Sequence, residues 1–183
     1  MALLLLIVIF LPFIGFFLYK YSKFIGAIFI SSPFVLIILV AGWWVVATNH
    51  YFVSSTNLEY ESIGDFHLQE IVTKGRINGF GSYEKREYDD GYSYDYGGFF
   101  LRTDKENKVV SLSAGRISIE TSSGLKVGDT IERAKHIYGN NYYSYREMGL
   151  GKAIVYVDRA NKHTLTLWFD DKNTIRNIWL AVY

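Results

Sequence analysis

Cysteine is absent from the chain, acidic side chains are absent from its first fifty residues, and proline occurs only at Pro12 and Pro33. Without cysteine there is no disulfide, no thiolate nucleophile and no sulfur ligand for zinc, so packing alone must hold the fold. About 130 residues beyond the opening segment are enough to bury such a core. The missing acids mark something else. Met1–Tyr19 and Phe24–Thr48 contain no charged residue at all, and only Lys20 and Lys23 separate them. A helix needs roughly 20 apolar residues to cross ~30 Å of hydrocarbon. Residues 1–19 just reach that length and residues 24–48 exceed it, with Trp43 and Trp44 placed for an interfacial aromatic belt. Proline is tolerated in such helices and tends to kink them.

The first segment opens without Lys or Arg and lacks a small-residue cleavage site, so it reads as retained rather than as a signal peptide. Residues 1–48 are therefore expected to form a two-helix transmembrane hairpin, with 49–62 as a linker. Lys20 and Lys23 in the connection place it in the cytoplasm by the positive-inside rule. Both hairpin ends, and residues 63–183, are then extracytoplasmic.

A basic excess is also missing. Beyond the hairpin, seventeen basic side chains meet eighteen acidic ones, a net charge of −1. That excludes the basic face of a nucleic-acid binder and offers no pull toward anionic lipid. The lipid bilayer is thus engaged through the hairpin, and the remaining partner is expected to be a protein or peptide of the cell envelope.

What is present is a phrase written twice. "IGDFHLQEIVTKG" (63–75) is echoed by "VGDTIERAKHIYG" (127–139). Each reads as a short helix with Asp65 or Asp129 as N-cap and Gly75 or Gly139 as the left-handed C-terminal residue. Leu68, Ile71 and Val72 form the expected apolar stripe of the first helix, and Ile131, Ala134, Ile137 and Tyr138 that of the second. A second echo links "FFLRTDKENKVVSLSA" (99–114) to "LTLWFDDKNTIRNIWL" (165–180), each a strand, a polar turn and a strand. "INGFGSYEKREY", "GYSYDYGGFFLRT", "NYYSYREM" and "KAIVYVD" read as further strands. The expected class is α+β: two tandem helix-plus-antiparallel-strand units, 63–120 and 121–183, sharing one sheet with the helices on one face. A generic succession of helix and hairpin would produce the same pattern without duplication.

The Gly-Asp phrase, the short helix, the Tyr-rich stretch and "LTLWFDDKNTIRNI" resemble the β-lactamase-inhibitor-protein-like fold. That group includes the small lipoprotein of the outer-membrane barrel-assembly machinery, and the stretch is similar to the tandem CAP-associated domain as well. The resemblance covers about residues 63–183 and implies a surface-exposed protein-binding module without catalytic residues. The two-helix anchor departs from that pattern.

Chemistry is hard to find. His50, His67, His136 and His163 share no ligand spacing, and no nucleophile elbow is present. "GFG" (79–81) and "GLG" (149–151) are too short for nucleotide loops and read as turns or bulges. No cofactor or metal is expected. Glu84, Glu87, Asp89, Asp90 and Asp95 gather in one insert, but not at calcium-loop spacing. Tyrosines crowd the same insert (Tyr83, Tyr88, Tyr92, Tyr94, Tyr96) and its counterpart (Tyr142, Tyr143, Tyr145). Tyrosine gives large, rigid contact area at low entropic cost, so these eight form the expected binding surface, flanking one sheet face. The leading expectation is a membrane-anchored, extracytoplasmic, non-enzymatic binding module. An accessory subunit of a membrane transporter or envelope complex is one rival. An envelope hydrolase or metal-dependent enzyme using the acidic insert is another.

Overall fold

A computed structural model describes residues 2–48, 52–147 and 151–183, in two compact units, Met1–Asn49 and His50–Tyr183. The first unit contains helices α1 (Ala2–Tyr19) and α2 (Lys23–Thr48), joined by a three-residue turn in which Tyr21 and Ser22 donate their N–H groups to the Leu18 carbonyl. The helices pack so closely that a Cβ on Gly26 would stand 2.5 Å from Tyr19 Cα, and one on Gly15 2.8 Å from Ile30 N. Small residues at such a contact let two helices approach closely. Among the described residues, one helix, over Lys23–Val45, is long and apolar enough to cross a membrane. Its side chains from Phe34 to Val45 are exposed all round, the surface of a helix that needs an apolar surrounding.

The second unit is α+β. A two-stranded hairpin, β1 (Ser62–Ile63) and β2 (Phe66–His67), precedes helix α3 (Lys74–Phe80) and strands β3 (Glu84–Tyr88), β4 (Gly91–Asp95), β5 (Phe99–Asp104) and β6 (Val109–Ala114). Helix α4 (Ile131–Tyr138) and strands β7 (Tyr143–Glu147), β8 (Gly151–Asp158), β9 (His163–Phe169) and β10 (Ile175–Val182) follow. The eight long strands form one antiparallel sheet in the order β3-β4-β5-β6-β10-β9-β8-β7. Each run of four strands is in sequence order from its own edge, and the runs meet at β6 and β10.

Register decides the faces. Tyr94, Leu101, Leu112, Leu180, Leu165 and Tyr156 are successive cross-strand partners, a row of large side chains on one face. All six are buried, and they cluster with Ile77 of α3 and Ile131, Ala134 and Tyr138 of α4. Both helices therefore cover the same face. Burying each such side chain stabilises by about 1.5–3 kcal/mol, which makes this layer the main support of a fold without cross-links.

The two halves share a hydrogen-bond pattern. In the β5–β6 turn Asp104 Oδ1 accepts from Glu106 N and Lys108 N at 2.9 and 2.8 Å; in the β9–β10 turn Asp170 Oδ1 accepts from Lys172 N and Thr174 N at 2.9 and 3.0 Å. Asn107 and Asn173 both hold φ +61. Each turn then docks on the segment before a helix: Val72 N donates to Asn107 O and Ile131 N to Asn173 O, both at 2.9 Å. Val109 N donates to Glu70 O and Ile175 N to Asp129 O, both at 2.8 Å.

That pattern aligns Glu70 with Asp129 and corrects the expected helices. Gly64 and Asp65 form the two-residue turn between β1 and β2, so Asp65 caps no helix. Phe66 is the cause: it is buried between Phe80, 5.1 Å away, and Phe99, 5.9 Å away, and a hairpin delivers it there. Ile71, expected in an apolar stripe, is 72% exposed. Helix α3 starts later, where Thr73 Oγ1 accepts from Arg76 N, and Gly75 lies inside it rather than after it. The stretch Ile77–Phe80, expected as strand, is its second turn. At α4 the cap is Thr130, not Asp129, whose carboxylate accepts from Lys126 N at 2.9 Å and faces Arg133 at 3.5 Å. Gly139 ends α4 with φ +86, its N–H on Lys135 O.

The expected linker is also more than a tether from residue 52 onward. Thr56 N donates to Val157 O, Leu58 N to the Asp158 carboxylate, and Leu58 and Glu61 are buried. Residues 49–51 lie outside the described residues.

Candidate functional site: the open face of the sheet

Alternation along a strand sends every second side chain away from the helices. On that second face Tyr143, Val155, Thr166, Trp179, Ser113, Phe100 and Asp95 are cross-strand partners in a row. Trp179 and Phe100 keep 39% and 42% of their surface exposed at mid-sheet, while Val155 and Thr166 in the same row, and Trp168 beside it, are buried, so the exposed part of the face lies over β5, β6 and β10. Trp168, paired with Asn177, is a diagonal neighbour of Trp179, and the two indoles stack with centroids 5.5 Å apart and planes 17° from parallel. Diagonal pairs are within reach of aromatic side chains, and such stacking adds roughly 0.5–1.5 kcal/mol beyond area burial.

The polar groups around this pair are mostly occupied. Trp179 Nε1 donates to Ser111 Oγ, and Ser113 Oγ donates to Asn177 Oδ1 at 3.2 Å. Asp95 Oδ1 accepts from Gly97 N at 2.8 Å, and Arg176 forks onto Asp170 at 2.9 and 2.6 Å. Trp168 Nε1 is buried without an acceptor among the described residues. Beside the indoles opens a cleft of about 640 Å³, lined by Phe100, Trp168, Trp179, Asn177, Arg116 and Arg176 among others. Volumes of roughly 300–1,000 Å³ are typical of small-ligand sites. Arg116 is exposed and forms no ion pair among the described residues. Its backbone is set by the neighbouring turn, where Gly115 N donates to Gly98 O.

The eight expected tyrosines do not share this face. Tyr143 and Tyr145 do, at the β7 edge, with rings 6.3 Å apart over Val155 and Ala153; burial raises both phenols. Tyr92, Tyr94 and Tyr96 turn inward. Tyr94 is 4% exposed, Tyr92 lies under Lys85 Nζ at 3.8 Å, and Tyr96 donates to Ile77 O while burial pushes its phenol up to about 12. Tyr83 packs on Tyr94 and Tyr96, and Tyr142 on Tyr156. Tyr88 is exposed at the end of β3, with Arg102 5.4 Å from its ring. The expectation of one shared tyrosine surface is thus corrected. A strand places residues 92, 94 and 96 on one side together, and β4 pairs Tyr94 with the core residue Leu101.

The acidic insert is dispersed. Asp90 pairs with Arg102 at 2.6 Å, which holds its carboxyl below the ordinary range, and Glu84 pairs with Arg86. Glu87 and Asp89 are exposed, on β3 and in the turn after it. Of the histidines, His67 and His136 are exposed, and buried His163 lies 3.4 Å from Leu58 O and 3.3 Å from Gln69 Nε2. His50 lies outside the described residues, as do Gly149 and Leu150 of the second Gly-rich triplet.

Trp168, Trp179, Phe100, Asn177 and Arg116 are not among the expected site residues. The signal for the tryptophans was present: each falls on the opposite phase from its buried neighbours Leu165 and Leu167 or Ile178 and Leu180. Comparison with family models, curated proteins and solved structures gives no match to this chain.

Proposed function

We propose that the chain is a membrane-anchored, extracytoplasmic, non-enzymatic binding module whose contact surface is the open sheet face. In this reading α1 and α2 both cross the membrane, the lysine-bearing turn faces the cytoplasm, and the sheet domain consists of two helix-plus-four-strand units. The matching turn geometry and strand order of the two halves support the tandem arrangement, and with it the likeness to the β-lactamase-inhibitor-protein-like fold. The observation that carries the function is that Trp179 and Phe100 stand exposed at mid-sheet, on the face opposite α3 and α4, with the buried Trp168 stacked against Trp179. Exposed aromatic clusters of this kind mark interaction sites and supply most of the energy at interfaces. The partner is a protein or peptide at the cell envelope.

Two measurements test this. Because the chain has no cysteine, Tyr21→Cys and Lys105→Cys each introduce a single reporter thiol. On cells freed of any outer barrier, a membrane-impermeant maleimide should label the second and spare the first; the reverse pattern refutes the orientation. For the surface, full-length chain extracted in mild detergent should co-purify a partner. Phe100→Ser with Trp179→Ser should cut recovery by more than about thirtyfold, the equivalent of one hot spot of roughly 2 kcal/mol. Recovery unchanged in a folded double variant refutes the assignment of the face.

A further inference from the structure

Resting on that reading of the open face, we infer that its cleft takes the carboxyl-terminal end of a peptide: one large apolar side chain against the indoles and the free α-carboxylate on Arg116.

The donor and acceptor inventory sets the chemistry. A sugar would need acceptors as well as donors for its hydroxyls, and the unspent groups of the cleft are mostly donors. Here the side chains of Ser111, Ser113 and Arg176 are already engaged within the sheet or its turn. What remains is one guanidinium with no ion pair among the described residues, the Asn177 Nδ2 group beside Gly115, the buried Trp168 indole N–H, the second oxygen of Asp95, and an apolar wall: three donors against one acceptor. One cation next to one apolar wall matches one carboxylate next to one apolar side chain, and guanidinium binds carboxylate in a two-pronged geometry.

Backbone pairing decides that the ligand is a chain end. The cleft opens over β5, β6, β10 and β9, each hydrogen-bonded on both sides. No strand edge is free there to pair with a peptide threading through. A mid-chain segment would bury its own N–H and C=O groups without partners, which costs roughly 1–3 kcal/mol for each. A terminus inserts its last side chain and carboxylate and leaves the preceding peptide groups in water.

Arg116 stands at the glycine-lined end of the cleft. A Cβ on Gly98 would approach Arg116 Cβ to 2.7 Å, so the Gly98 backbone packs directly against Arg116 and fixes where its side chain begins. The side chain itself is exposed and replaceable without loss of core packing.

The test uses full-length chain in detergent micelles and a fluorescein-labelled peptide, Gly-Gly-Ser-Gly-Phe, as free acid and as C-terminal amide. The free acid should bind saturably, measured by fluorescence polarisation, and at least tenfold more tightly than the amide. Arg116→Gln should erase that difference while leaving the amide's weak binding in place. Arg116→Lys should restore part of it, and Trp179→Ala should weaken both forms. Circular dichroism melts establish that each variant is folded. Equal binding of acid and amide, no saturable binding up to millimolar peptide, or equal binding of a peptide whose only carboxylate is an internal Glu overturns the inference. So does preferential binding of glucuronate over the peptide acid. If Arg116→Gln leaves partner co-purification intact while Phe100→Ser with Trp179→Ser abolishes it, the binding face stands and the terminal-carboxylate inference falls.

Discussion

Replacing Asp158 by Ala tests how the lead-in segment is held to the sheet. The Asp158 side chain is almost fully buried, and its carboxylate accepts from Leu58 N at 2.8 Å, Ala160 N at 3.0 Å, Asn161 N at 3.2 Å and Asn161 Nδ2 at 2.9 Å. The bonds from Ala160 and Asn161 close a local turn and can be partly replaced by water. The bond from Leu58 N cannot, because Leu58 is itself 1% exposed. Stranding one buried N–H costs about 1–3 kcal/mol, and a hydrogen bond to a charged acceptor contributes about 1.5–3 kcal/mol. A net loss of about 3 kcal/mol is expected. Truncation to residues 50–183 removes Trp43 and Trp44 and leaves Trp168 and Trp179 to report unfolding in urea. With a slope of about 1.5 kcal/mol per molar, the midpoint should fall by about 2 M.

The pH dependence provides a second check. Burial pushes the Asp158 carboxyl up, but the hydrogen bonds from Asn161, Leu58 and Ala160 together hold it below its ordinary value. A carboxyl lowered in the folded state stabilises fully above the unfolded value near 3.9, and that contribution is lost as pH falls through the folded value. The gap between parent and variant should therefore be full at pH 6 and shrink below pH 4. A variant that melts like the parent, or a gap constant down to pH 2, refutes the assigned role.

Two further substitutions test the reading of the faces and the turns. Tyr94→Ala removes a core side chain and should cost about 3–5 kcal/mol in the same urea assay, against about 1 kcal/mol or less for Tyr145→Ala at the sheet edge; equal losses would refute the inward orientation of Tyr94. Asn107→Val and Asn173→Val each force a β-branched residue into φ +61 and should each cost about 1–2 kcal/mol, by matching amounts, since the two turns share their hydrogen bonds. A loss at only one of them would break the equivalence of the two turns.

Features whose signal is local or periodic follow from the residues alone. An uncharged run from Phe24 to Thr48 has the length and apolarity of a long apolar helix, and it forms α2. Asp104 with Asn107 and Asp170 with Asn173 carry their turn geometry in their own side chains, so both hairpins lie where the text places them. Gly139 ends α4 because a left-handed residue closes that helix. The remaining features depend on long-range packing. Helices of seven and eight residues are too short to be fixed by propensity, since nucleation costs more than so few hydrogen bonds return. Whether Gly-Asp opens a helix or turns a hairpin therefore depended on the site that Phe80 and Phe99 offer to Phe66. The facing of the tyrosines was equally open, because a one-residue change of register moves a whole strand's side chains to the other side. Only the pairing of β4 with β5 commits Tyr94 to the core. Only the pairing of β9 with β10 brings Trp168 onto Trp179, eleven residues apart in the chain, on the face opposite α3 and α4.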